Sequence, residues 1–209
     1  MKTIYKIART ELQTLFYSPI AWLILVIFTF QASMAFTNGL AGNVRSQELG
    51  YGLYNVTMGV FAGWRGMFIA MQQYLYLYIP LLTMGLMSRE LSSGSIKLLY
   101  SSPVTNTQII LGKYLSMMIY NLGLMCILAV YLVFAAITIK SADVPLILSG
   151  MLGLYLLVCA YAAIGLFMSS ITSYQVVAAM GTLAVLAVLN FVGDMWQDID
   201  FVRDITYWL

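Results

Sequence analysis

Apolar residues gather in five long runs, 19–36, 66–87, 114–139, 144–168 and 174–193, each closed by polar or glycine-marked chain. A helix needs about 20 such residues to cross roughly 30 Å of hydrocarbon, so each run is predicted to span a membrane. No charge separates the last two. Read as one helix, 144–193 would extend about 75 Å at 1.5 Å per residue, more than twice the bilayer core. The polar residues Ser169, Ser170, Thr172 and Ser173 are therefore expected to turn the chain back.

The first sixteen residues follow a different rhythm. Ile4, Ala8, Leu12 and Leu15 recur at three- and four-residue spacing, while Lys2, Lys6, Arg9 and Gln13 take the other side. That pattern predicts an amphipathic helix over 1–17, lying in the membrane interface with its apolar face down. The sequence Ser33 to Ala35 leaves open an alternative, a cleaved leader over 1–36, although the apolar run exceeds the 7–15 residues of a usual leader core. The outer segment 37–65 is rich in glycine and reads as a flexible loop; its Gly59 and Gly63 form a GxxxG pair outside the spans.

Composition agrees with the pattern. The chain is 62% hydrophobic and 9% charged, with a mean hydropathy of +0.89, whereas about a quarter of a soluble domain is charged. This is an all-α integral membrane protein of one domain, 1–209. With no histidine, the commonest general base and metal ligand is absent. Cys126 and Cys159 sit in apolar runs without metal-site spacing and read as small buried residues. The carboxylates Asp194, Asp198, Asp200 and Asp204 match no EF-hand loop and read as a solvated acidic tail.

Cations set the expected orientation. With the N-terminus inside, Lys2, Lys6, Arg9, Arg89, Lys97 and Lys113 are cytoplasmic, against Arg45, Arg65, Lys140 and Arg203 outside. That is a modest positive-inside bias.

The polar stretch 88–113 is too long for a plain loop and carries its own signals. Gly94 can adopt positive φ, and Ser95 can cap the next helical turn. Ile96, Leu99 and Tyr100 share one side of a short helix that Pro103 stops. Thr105 or Asn106 can cap a new helix leading into the third span. Two readings fit the apolar side: it dips into the lipid interface, or it plugs a groove on a partner protein. The second span raises a separate question. Gln72, Gln73, Tyr74, Tyr76 and Tyr78 lie near mid-membrane, with Pro80 expected to kink the helix at Tyr76. Buried tyrosine and glutamine need partners in hydrocarbon. Hydrogen bonding between helices is one explanation, and a polar transport path lined by Gln73, Tyr74, Tyr78 and Asn121 is the other. Asn190 poses the same choice.

The central run resembles the hallmark of ABC-2 type export permeases. Its elements here are Glu90, Gly94, Leu98 and Leu99, then Ser102, Pro103 and Val104, then Leu111, Gly112 and Lys113 entering the third span. Glu11 through Pro19, and Gly165 through Gln175 with Ala178 and Ala179, resemble other parts of the same family. The closest flavour is the gliding-motility-associated branch. Lys97 departs from the pattern, standing where many relatives carry an acid.

The resemblance implies a permease subunit of an ATP-driven exporter in the bacterial inner membrane, without catalytic residues, bound cofactor, metal or nucleic-acid partner. ATP and Mg would be held by a separate ABC ATPase. A second permease copy or paralogue, membrane lipid and an outer-compartment auxiliary subunit are the other implied partners. Residues 88–113 would be the coupling segment, with Ile96, Leu98 and Leu99 as apolar anchors and Arg89, Glu90 and Lys97 as rim charges, framed by Gly94 and Pro103. An ATPase-independent membrane assembly or scaffold subunit is the alternative. The family has six spans and the pattern gives five, with Leu209 in what would be the loop before the sixth; the expectation is either a partial chain or a bundle without that span. Leu99→Asp should uncouple nucleotide hydrolysis from transport, read as lost permease stimulation of the ATPase in the reconstituted complex. Unchanged stimulation and transport would contradict the coupling assignment.

Overall fold

Apolar runs without internal breakers become helices, and in this computed structural model they do so with few exceptions. The structure describes residues 2–48, 56–63, 66–96, 104–138 and 143–197, apart from the side chains of residues 2, 46, 47 and 193–197. The helices are α1 (Lys2–Tyr17), α2 (Pro19–Glu48), α3 (Met67–Thr83), α4 (Gly85–Ser93), α5 (Asn106–Thr138), α6 (Val144–Ile171) and α7 (Gln175–Gln197), with a π-helical turn at Met58–Ala62. Among the described residues all regular structure is helical. Four stretches, Pro19–Arg45, Asn106–Thr138, Val144–Ile171 and Gln175–Val192, are long and apolar enough to cross a membrane. The run at 66–87 forms α3 and the start of α4.

Local chemistry fixes the helix ends. Thr105 caps α5 in a reciprocal box: its hydroxyl accepts from the Gln108 N–H, and Gln108 Oε1 accepts from the Thr105 N–H, each at 3.4 Å. Asp143 caps α6 by accepting from the Leu146 N–H at 3.3 Å, and its own N–H donates to Thr57 at 3.2 Å. Gly94 ends α4 at φ 72°, the left-handed geometry expected of it. The turn expected at 169–173 falls at 172–174.

Three expectations change. The segment 37–65 is not all loop: α2 continues to Glu48, and the π-helical turn folds back on it with Val60 against Gly39. No proline interrupts 37–48, so nothing in that stretch forces the helix to stop. Helix α1 does not lay its whole apolar face on lipid. Ala8 is buried and Leu12 and Leu15 pack against the protein core, because protein surface from α5 is available to cover them. Cys126 is exposed on the outside of the bundle while Cys159 is buried. In a membrane an outward position suits a small apolar side chain as well as an inward one.

The core runs through the bundle along Phe28 of α2, Met71 and Leu75 of α3, Leu124 and Leu128 of α5, and Val158 of α6. Tyrosines stitch the helices by donating across to neighbours. Tyr120 donates to the Ala21 carbonyl at 2.8 Å, Tyr76 to the Leu183 carbonyl at 3.1 Å, and Tyr114 to the Cys159 carbonyl at 3.1 Å. A helical carbonyl keeps a second lone pair, so it can accept from a hydroxyl on a neighbouring helix.

Pro80 lies inside α3. The helix runs to Thr83, and the interruption comes at Met84, whose N–H still donates to the Pro80 carbonyl at 3.0 Å. Beyond it, the Met87 and Ser88 N–H groups donate to Ser169 Oγ of α6, at 3.0 and 3.1 Å. Helix α6 comes this close because Gly165, one turn before Ser169, faces Thr83. A methyl group at Gly165 would lie 2.1 Å from Thr83 Oγ1. Gly165→Ala is accordingly expected to destabilise the bundle by about 1–3 kcal/mol through overpacking. Unfolding in detergent would measure the loss, and Thr83→Ala in the same chain should recover part of it.

Candidate functional site

The α1 end of the bundle gathers the charges. Helix α1 crosses α5 at Gly112, where a methyl group would meet Ile7 at 2.7 Å and the Ile4 carbonyl at 3.2 Å. The absent side chain lets the two backbones approach, and the next residue, Lys113, is then enclosed. Its side chain is 2% exposed. The ammonium pairs with Glu11 of α1 and, at 2.6 Å, with Glu90 of α4. One cation thus joins α1, α4 and α5. Ser116 donates to the Lys113 carbonyl at 2.6 Å, within the same buried turn.

Both carboxylates are more accessible than the lysine, at 19% and 22% side-chain exposure. Two carboxylates against one ammonium leave a formal charge of −1 when all three are ionised. Glu90 Oε2 is buried and has no hydrogen-bond partner among the described residues. Removing one member of such a buried set is costly because it strands the others.

Around this joint lie the other expected coupling residues. Arg89 is exposed and its guanidinium folds back over Gly85. Arg89 and Glu11 line one recess together with Thr14, Ser18 and Gln175. On the opposite flank Glu90, Leu91, Ile96, Asn106 and Ile109 line a second recess. Ile96 is half-buried and packs on the core. Lys97, Leu98, Leu99 and Pro103 lie outside the described residues. Glu90, expected as a rim charge, turns its carboxylate inward to Lys113. Lys113, counted among the cytoplasmic cations, is an internal one.

The four residues of the expected transport path are not one lining within this chain. Gln73 and Tyr74 are exposed on the surface of α3. Tyr78 is buried and donates to Gln31 of α2 at 2.5 Å. Asn121 is fully buried in α5, and neither amide atom has a hydrogen-bond partner among the described residues. The hydroxyl of Tyr161 has Gln72 and Asn190 as polar neighbours.

The family model described as ABC-2 family transporter protein matches residues 5–199. The chain belongs to the ABC-2 transporter family. No curated protein and no solved structure matches it. As an ABC-2 permease it is the membrane-spanning subunit of an ABC transporter, and membership implies an ABC ATPase partner.

In this permease, Gly112 and Lys113 gain a physical reading. The glycine admits α1, and the lysine ties α1 and α4 to α5. Sequence reasoning missed Glu11 and Lys113 as a pair. The available signal was Glu11 itself, the lone acid in the otherwise basic helix Lys2–Tyr17. Lys113→Met should cost about 3 kcal/mol of stability by leaving two carboxylates face to face. The combined variant Glu11→Gln, Lys113→Met, Glu90→Gln should be more stable than Lys113→Met alone, as measured by thermal unfolding in nanodiscs.

Proposed function

We propose that this chain is the permease subunit of an ATP-driven exporter, and that the segment following α3 is where the ATPase acts. It sits in the bacterial inner membrane with its N-terminus in the cytoplasm, and works with a second permease copy or paralogue. The single observation carrying this reading is the three-helix ion joint at Lys113. An ATPase pressing on residues 88–103 would load Glu90 directly, and a stiff buried lysine would pass that load to α1 and α5. Ile96, Leu98 and Leu99 would fill the ATPase groove, with Arg89 and Lys97 at its rim.

ATP binding by the partner would favour one arrangement of the spans and its hydrolysis the other, which is alternating access by differential binding. The exposed Gln73 and Tyr74 would meet the transported molecule between two permease subunits, with Tyr78 and Asn121 behind them. An outer-compartment auxiliary subunit and membrane lipid complete the assembly. The branch this reading favours is the gliding-motility-associated one.

Co-purification tests it. The intact permease should bring down an ABC ATPase, and a variant with residues 94–99 scrambled should lose it while remaining folded. A stable complex that contains no ATPase would instead identify an assembly or scaffold subunit.

A further inference from the structure

Ser169 stands where two features of the bundle meet, and neither the ion joint nor the coupling segment accounts for it. It is fully buried in the last turn of α6, two residues before the helix ends at Ile171. Its hydroxyl accepts from the Met87 and Ser88 N–H groups and donates to the Met84 carbonyl at 2.8 Å. A serine hydroxyl has one donor and two acceptor sites, so this one is saturated by backbone groups of another helix.

Those groups belong to the first turn of α4, whose N–H groups a broken ladder leaves without partners. Residue Met84, at the start of α4, supplies no side-chain cap. The cap therefore comes from α6. Ser88 adds its own hydroxyl to the Met84 carbonyl, which thus accepts from two serine hydroxyls. A helix held by a side chain from its neighbour, rather than by its own ladder, can pivot at that place only if the neighbour moves with it.

We propose that Ser169 is a positioning residue for transport: it pins the first turn of α4 to the end of α6, so that displacement of the 85–96 segment is delivered to the α6–α7 turn. The inference rests on the ATPase-coupled reading of the chain for its source of motion. Its geometric half does not. The path is short: α4 moves, the Ser169 hydroxyl carries α6, and the turn at 172–174 passes the displacement to the start of α7. The Lys113 joint and the Ser169 pin then act on the same helix α4 from two sides, one ionic and one through hydrogen bonds.

Hydrogen exchange on the full chain in lipid nanodiscs tests both halves. Without ATPase, Ser169→Ala should speed exchange at the Met87 and Ser88 amides about tenfold, leaving α3 and α5 unchanged, and Ser169→Thr, which keeps the hydroxyl, should restore protection. Unchanged exchange at those amides, or an equal rise across all helices, overturns the pin. With the co-purified ATPase bound, ATP plus vanadate should alter exchange over residues 172–178 in the parent chain and in Ser169→Thr, and not in Ser169→Ala. A response that survives in Ser169→Ala overturns the positioning role. Failure of the parent chain to bind or respond to an ATPase would count against the exporter reading and, with it, against a role in transport, while the first arm still decides the pin.

Discussion

A single ammonium group, enclosed where three helices meet, is the constraint on which the architecture of the α1 end depends. An unpaired lysine at that depth would be costly, so Lys113 can be buried only if acids come to it. Glu11 and Glu90 do, and each drags a helix with it. Helix α1 is thereby fixed on α5, and α4 is fixed beside the start of the same helix. The close crossing at Gly112 is the steric half of the same arrangement, since any larger residue there would hold α1 off and open the ion pair to solvent.

The second constraint is a broken helix. Pro80 contributes no N–H to its helix, and one turn later the ladder gives way at Met84. Donors freed and buried inside the protein must be satisfied there. Helix α6 satisfies them because Gly165 permits close approach and Ser169 follows one turn later. Small residue, then hydroxyl, on one face is an economical way to join two helices in a medium that gives no hydrophobic incentive to pack. The tyrosine bonds to carbonyls of other helices serve the same end elsewhere in the bundle.

Much of this was legible in the sequence, for reasons that are local. Apolar run length gave four of the five expected spans as helices long enough to cross a membrane, with 66–87 divided between α3 and α4, and the i, i+4 pattern gave α1. Gly94 and Thr105 announced their turn and cap because those roles depend on the residue itself. What escaped was tertiary. The sequence shows Lys113 as one more cation at the foot of a helix; only the crossing of α1 shows it enclosed. It shows Ser169 in a polar gap; only the proximity of a broken helix shows what its hydroxyl does. The extension of α2 to Glu48 likewise comes with a π-helical turn whose Val60 packs on Gly39, and no pattern within 37–48 encodes that contact. The path residues divided for a similar reason: Tyr74 and Tyr78 share a helical face by spacing, yet α2 covers one of them and leaves the other outside.

The most direct test of this architecture is an experimental density map of the permease with its ATPase in lipid nanodiscs, at a resolution that shows side chains. The Lys113 ammonium is expected between the carboxylates of Glu11 and Glu90, with α1 seated against Gly112. A map with α1 lying apart in the lipid headgroups and Lys113 open to water would contradict it.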